Sequence, residues 1–240
     1  MNTNNTKTIS SLPTATLLVA MAAALLGGCA TSGNQADPVE GFNRAMFSVN
    51  EGLDKVVIKP AAQAYDFVTP QPLQTGVSNV FGNVGDLAIG VNNLLQGKPV
   101  DALSDGGRVV VNTTLGLLGI FDVASIMGLE KHEEDFGQTF GRWGVGDGAY
   151  VVLPFFGPRT VRDTVGLGFD MYADPFSYIE HVPTRNTVAA VRIVSGRAAL
   201  LKADKVIEEA ALDKYSYIRD AYLQRRHSLI QDGNAPRRAE

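Results

Sequence analysis

Cysteine is nearly absent from this 240-residue chain: Cys29 stands alone. One thiol excludes an intrachain disulfide framework and any cysteine-rich metal centre. Histidine is scarce too, with His132, His181 and His227 the three examples. They form no HExxH pair and no serine lies in a GxSxG elbow, so neither a zinc protease nor an ordinary lipase is signalled. Charge is thin, at 19% of residues against 45% hydrophobic. That composition is too apolar for a disordered chain and greasier than an ordinary soluble domain. No run reaches about 18 apolar residues, which argues against a polytopic membrane protein. The length suits one domain, or at most two small ones.

The one cysteine falls directly after a signal-like segment. Residues 1–13 are polar with a single charge, Lys7, and Leu17 to Gly28 hold only apolar residues and glycine. Such a core fits a signal peptide and is too short to span a bilayer. Leu26-Gly27-Gly28-Cys29 resembles a bacterial lipobox, whose small residues admit the signal peptidase and whose thiol receives a diacylglycerol. Cleavage would remove residues 1–28 and leave acylated Cys29 at the head of a short tether, residues 29–36. Two or three acyl chains, at about 0.8 kcal/mol per buried methylene, hold a protein on a bilayer durably. The chain is therefore expected to be extracytoplasmic and lipid-anchored. Ala30 in place of aspartate after the cysteine, as in other Gram-negative lipoproteins, points to the outer membrane.

Charge is placed unevenly. Residues 29–184 hold 9 basic and 18 acidic groups, and residues 185–240 hold 11 and 7. A basic final quarter suits anionic headgroups, an acidic partner or a solvated helix face. Nothing resembles a nucleic-acid footprint.

Hydrophobic periodicity predicts helices. Asp37-Pro38-Val39-Glu40 reads as an N-cap, a first-turn proline and an N3 glutamate. Val39, Phe42, Met46, Val49, Leu53, Val56 and Val57 then mark a stripe that Pro60 should close. A short helix, Pro60 to Phe67, follows, and Val77 through Leu95 mark another between about Gln74 and Gln96. Residues 101–128 are the most lipid-friendly part of the mature chain, either a buried core helix or one lying in a membrane interface. Phe136 to Gly168 is too rich in glycine and proline for a long regular helix, and Ala149 to Phe156 suggests a short hairpin or an irregular apolar loop. Val188, Val191, Val194, Ala198 and Leu201 mark a further helix. A last one, capped by Asp213, shows Tyr215, Ile218, Tyr222 and Leu229 on one side and Arg219, Arg225 and Arg226 on the other. Residues 37–231 thus read as a single all-α domain with an irregular middle, ending in a tail at 232–240.

Chemical motifs are few. His132-Glu133-Glu134-Asp135 gathers possible metal ligands, but adjacent residues point apart, and a solvated turn is the expectation. Gly144-Val145-Gly146-Asp147-Gly148 lacks the flanking strand and helix of a dinucleotide site. No cofactor or metal is expected beyond covalent lipid on Cys29. A membrane anchor, amphipathic helices and a glycine-rich apolar loop suit handling an amphiphile without reacting with it, since its charged headgroup needs a polar lane and its tails a greasy wall. The same stripes also suit a compact bundle.

Ordered motifs carry a resemblance. EGFNRAMF (Glu40 to Phe47), PQP…GVSN (Pro70 to Asn79), NNLLQGKP (Asn92 to Pro99), GLLGIFDVAS (Gly116 to Ser125), EDFGQTFGRWGVG (Glu134 to Gly146), YVVLPFFGPRTVRD (Tyr150 to Asp163) and YIRDAYLQRR (Tyr217 to Arg226) resemble the MlaA, or VacJ, lipoproteins across the mature chain. The resemblance implies a ring-like bundle of amphipathic helices in the inner leaflet of the outer membrane, with an amphipathic channel. It implies no catalysis: such a protein removes mislocalised phospholipids from the outer leaflet and passes them to the periplasmic carrier MlaC while bound to a trimeric porin. A structural lipoprotein that docks on a porin without a channel is the alternative. Carried over by motif, the channel and gating loop would comprise Gly141, Gly144, Gly146, Tyr150, Val152, Leu153, Pro154, Phe155, Phe156, Gly157 and Pro158. Phe42 and Asn43 would support the first helix beside the ring. Two departures stand out: Asp147-Gly148-Ala149 lacks the proline usual before the tyrosine, and Val49 occupies a place where an aromatic is common.

Overall fold

The computed structural model describes residues 36–233; the signal segment, Cys29, most of the tether and the tail from residue 234 lie outside the described residues. Helices dominate, as the sequence pattern requires. They are α1 (Glu40–Leu53), α2 (Lys59–Val68), α3 (Gln71–Leu95), α4 (Pro99–Thr114), α5 (Val123–Ile126) and α6 (Phe136–Arg142), then α7 (Val161–Ala173), α8 (Val182–Ala199), α9 (Leu201–Ala210) and α10 (Lys214–Ile230). Between α6 and α7, β1 (Tyr150–Leu153) and β2 (Gly157–Thr160) form an antiparallel hairpin in register Tyr150↔Thr160 to Leu153↔Gly157.

The elements pack in a closed circuit. α1 runs through a π-helical turn, Asp54–Ile58, into α2; α2 packs on α8, α8 on α3, α3 on α6, α6 on α10, α10 on β2, and β1 returns to α1.

Both ends of the first stripe differ from expectation. Val39, not Asp37, holds the N-cap position of α1, without a side-chain cap. Asp37 is instead fully buried: it accepts from Asn43 Nδ2 at 2.8 Å and from the Tyr215 hydroxyl, and it pairs with Arg219 at 3.3 Å. Nor does Pro60 end the helix. The π turn immediately before it widens the hydrogen-bond ladder where the proline ring would otherwise meet a carbonyl, and the helix continues to Val68. The glycine-rich middle also holds more helix than expected, because two of its glycines serve a close crossing. A Cβ on Gly166 of α7 would strike the backbone of Gly137 on α6, and one on Gly137 would lie 2.6 Å from Asp163 Oδ1.

The larger correction concerns which faces are buried. Residues 101–128 contain no buried core helix. Leu103 of α4 is 77% exposed, and Val100, Val110, Leu115, Leu117, Leu118, Phe121 and Ile126 also face outward, as do Leu87, Val91 and Leu94 of α3. Between the two helices lie Asn83, Asp86 and Asn93 of α3 and Asp105, Arg108 and Asn112 of α4, while Asn92 of α3 accepts from Thr139 of α6 at 2.7 Å. Most of these polar atoms find partners, which makes their burial tolerable, although Oδ1 of Asn83 and of Asn93 has none among the described residues. Arg108 donates to Asp86 at 3.2 Å, to Asp122 at 2.9 Å, to Ser125 at 3.0 Å and to the Leu129 carbonyl at 2.7 Å. Burial opposes ionisation of Asp122, yet hydrogen bonds from Ser125, Asn112 and Arg108 outweigh it and hold the carboxyl well below its usual range.

Inversion extends to α10, where Arg219 and Arg226 are buried beside Tyr215. Carboxylates wait inside for both, Asp37 for the first and Asp135 with Asp163 for the second. The acidic turn is likewise not merely solvated. His132 Nδ1 lies 2.8 Å from Asp105, Glu134 pairs with Lys98 at 2.9 Å, and Asp135 accepts from the Gln138 amide to cap α6. The conventional core is small: Tyr150, Val152 and Tyr215, ringed by Met46, Phe47, Tyr222 and Leu223. Among the described residues, no helix is long and apolar enough to cross a membrane.

Candidate functional site

The hairpin is positioned from α1. Asn43 and Asn50 lie seven residues apart, two helical turns, and so face the same way. Each spends both ends of its amide on the hairpin backbone. Asn43 donates to the Tyr150 carbonyl at 2.9 Å and accepts from the Val152 amide at 2.8 Å; Asn50 donates to the Leu153 carbonyl at 2.9 Å and accepts from the Phe155 amide at 2.8 Å. The clamp satisfies backbone groups that an isolated two-stranded hairpin would leave bare. Phe42, half-buried, adjoins it in α1. Family resemblance marks Asn43 but not Asn50, although an asparagine seven residues on in an apolar stripe was a visible signal.

Beside the hairpin lies a cavity of about 450 Å³. Phe156, Pro158 and Arg159 of the hairpin, Tyr222, Arg225, Arg226 and Leu229 of α10, Gln138 of α6 and the Glu133–Asp135 turn form its wall. A second cavity, of about 540 Å³, is walled by Tyr65 of α2, a face of α3 from Gln71 to Ile89, residues Lys131–Glu133, and Arg192, Ser195, Gly196 and Ala199 of α8. Ile89 and Glu133 belong to both walls, so the two spaces are neighbours.

Their chemistry differs. Burial disfavours the charged forms of Arg226, Asp135 and Asp163, but their mutual contact overcomes it: the guanidinium is held above its usual range, and both carboxyls below theirs. Tyr222 donates to Asp163 at 2.6 Å, and its phenol is pushed up by burial and by that bond. The α8-side cavity mixes amides and hydroxyls (Gln74, Thr75, Ser78, Asn79, Ser195) with charged Lys131, Glu133 and Arg192 and apolar Phe81 and Ile89, and the buried Tyr65 hydroxyl in its wall has no partner among the described residues. Among the described residues, no group of three or more His, Cys, Asp or Glu could hold a metal ion.

The loop residues singled out from the sequence separate into three groups. Phe156 and Pro158 reach a cavity wall. Tyr150 and Val152 are buried in the core, where they hold the hairpin rather than face the space. Leu153, held by Asn50, leads into the tip, where Pro154 and Phe155 are exposed; Phe155 sits at φ 67° and Gly157 at φ 75°, the left-handed turn that reverses the chain. Gly141 packs against Ile230 and Arg162, and Gly144, at φ 92°, ends α6. Gly146 has open space around it. Cys29 lies outside the described residues. Ile89 is on these walls although the sequence did not single it out, and Glu133, Arg159 and Arg226, which fell within motifs, were not assigned to the site, because their place on a wall depends on elements distant in the chain.

The profile of the MlaA lipoprotein family matches residues 35–229. This chain belongs to the MlaA family. It is 38% identical over 223 residues to the intermembrane phospholipid transport system lipoprotein MlaA of Escherichia coli (strain K12), across 90% of this chain and 88% of that one. With the Haemophilus influenzae protein of the same name it shares 31% identity over 233 residues, 92% and 93% of the two chains. An uncharacterised Rickettsia bellii protein is 35% identical over 196 residues, covering 81% and 77%. A solved structure described as "Structural basis for maintenance of bacterial outer membrane lipid asymmetry" matches with a TM-score of 0.71 at 35% identity, covering 81% of this chain and 98% of that one. The predominantly helical architecture with its small hairpin is thus an MlaA fold, the relationship that the ordered motifs indicate.

Proposed function

We propose that this MlaA-family chain is a lipid-anchored envelope protein that moves intact phospholipids through the two adjoining cavities, with no chemical step. The observation that carries this reading is the adjacency of the two cavities, whose linings share Ile89 and Glu133 and each combine polar or charged groups with apolar ones. A headgroup passing there keeps polar company throughout, and its tails meet Phe156, Pro158, Ile89 and Leu229. The names of the curated relatives, which place them in intermembrane phospholipid transport, support the same reading.

Acyl chains on Cys29 would hold the protein in the inner leaflet of the outer membrane, and the exposed apolar faces of α3 and α4 would lie in hydrocarbon. The direction proposed is retrograde: mislocalised phospholipid leaves the outer leaflet and passes to the periplasmic carrier MlaC, while a trimeric porin holds the lipoprotein in place. The test uses a deletion strain carrying Ile89→Trp or Ile89→Ala. Surface phospholipid is measured by its accessibility to added phospholipase. The bulky indole should raise it toward the deletion level with the protein still folded and anchored, and alanine should not. Wild-type levels with tryptophan would overturn the passage and leave a scaffold that only docks on the porin.

A further inference from the structure

Three arginines line the hairpin-side cavity. Two are matched by carboxylates: Arg226 by Asp135 at 2.6 Å and Asp163 at 2.8 Å, Arg225 by Glu133. The third, Arg159 on β2, forms no side-chain hydrogen bond or ion pair among the described residues, and its Nε is shielded from solvent without an acceptor. The acid its field reaches, Asp170, gives its carboxylate to the Phe136 amide at 3.0 Å instead. A guanidinium with an unsatisfied, shielded N–H is costly unless an acceptor arrives. It sits on a wall whose other hairpin residues, Phe156 and Pro158, are apolar. The missing partner is therefore an anion attached to something greasy.

We propose that Arg159 is a binding residue for the phosphodiester of the transported phospholipid, the place in the passage where the headgroup is held. This deepens the function proposed above and rests on it. A planar guanidinium offers paired N–H donors that match two oxygens of a phosphate, which an ammonium cannot do. Arg226 could not take this place without stranding two buried carboxylates, and Arg225 already has a partner in Glu133, although that pair is largely exposed and cheap to open. Of the three, Arg159 is the one with no carboxylate of its own among the described residues. Because it has no structural partner, substitution there should leave the fold standing, so loss of binding would report on the ligand.

The test uses the full lipidated protein, purified in mild detergent, with wild type, Arg159→Gln and Arg159→Lys compared. Four probes are titrated: fluorescent dioleoyl phosphatidylethanolamine, the matching dioleoylglycerol lacking phosphate, glycerophosphoethanolamine lacking tails, and inorganic phosphate. Arg159→Gln should bind the phospholipid about tenfold to a hundredfold more weakly, the worth of one charge-assisted pair. It should bind the diacylglycerol unchanged, and Arg159→Lys should recover part of the loss. The tail-less headgroup and inorganic phosphate should bind wild type far more weakly than the lipid. Equal phospholipid affinity in wild type and Arg159→Gln, or an equal loss for diacylglycerol, would overturn the role of Arg159 and leave the passage intact. Inorganic phosphate bound as tightly as the lipid would make the site one for a free anion. Wild type that takes up neither phospholipid nor diacylglycerol would overturn the passage itself, and with it this residue's role.

Discussion

Between α3 and α4 the buried side chains include Asp86, Asn93, Asp105, Arg108 and Asn112, whereas under the hairpin they are Tyr150, Val152 and Tyr215. The first region keeps its leucines and valines on the outside, and the second packs its apolar groups together as a water-soluble domain does. Such a contrast follows from what surrounds each region in the proposed setting. Hydrocarbon is as apolar as leucine and gives no drive to bury it, so helices standing there must be joined by directional polar contacts. Water provides that drive, and a modest cluster of rings and branched chains suffices beneath the hairpin. The α3–α4 pair is therefore held by geometry and charge, the hairpin by exclusion from water.

The sharpest way to break this comparison is to remove the hub of the polar half. Arg108→Leu leaves Asp86 and Asp122 without their guanidinium and should cost about 3–5 kcal/mol, read as a fall in the denaturant midpoint in detergent. A cost near zero would mean that apolar packing holds α3 to α4 after all. In the conventional half, Val152→Ala should cost about 2 kcal/mol, from two lost methyl groups and the space they leave.

A smaller effect tests polar burial on α7, where two carboxyls titrate in opposite directions. Burial pushes Asp170 up to about 6. A raised acid gives stability that is present below its unfolded value, about 3.9, and is lost as pH rises through about 6. Asp170→Asn should therefore match wild type near pH 4 and exceed it at pH 7, by about 1 kcal/mol or less because the group is partly exposed. Asp163, held low by Arg226 and Tyr222 against burial, behaves in reverse: its contribution is present above about pH 4 and fades as pH falls through its lowered value. A pH-independent gap between Asp170→Asn and wild type would refute the raised value. Smallest of all, Leu103→Gln on the outer face of α4 should shift stability in detergent by about 0.5 kcal/mol at most. It should nonetheless weaken retention in bilayers relative to wild type; a large loss of stability would show that Leu103 packs against protein.

Much of the architecture was legible because helix periodicity and caps are local. Asp213 caps α10 as the sequence indicates, accepting from the Tyr215 amide at 3.1 Å, and the stretch between Pro154 and Gly157 turns a hairpin, one of the two forms that its breakers left open. Ordered motifs made the family visible as well. The sense of burial was not legible. A stripe of valines and leucines looks the same whether it faces a protein core or lipid, and Asp86, Arg108 and Asp122, spread over 36 positions, reveal themselves as partners only when α3 and α4 are laid side by side. Asp37 shows the same limit: locally it resembles a cap, but Asn43, Tyr215 and Arg219 claim it.

By itself the sequence determined most of the longer helices outside the glycine-rich middle, that a lone cysteine follows a signal-like core, and to which family the ordered motifs belong. Each of these depends on neighbours within a few residues or on motif order. Tertiary structure alone decided that charges go inward and leucines outward, that α1 clamps the hairpin through Asn43 and Asn50, and that Ile89 and Glu133 stand in the walls of two neighbouring cavities. Those outcomes depend on contacts between residues as far apart in sequence as Asp37 and Arg219, separated by 182 positions, whose pairing is set by the closure of the helical circuit and not by any local preference.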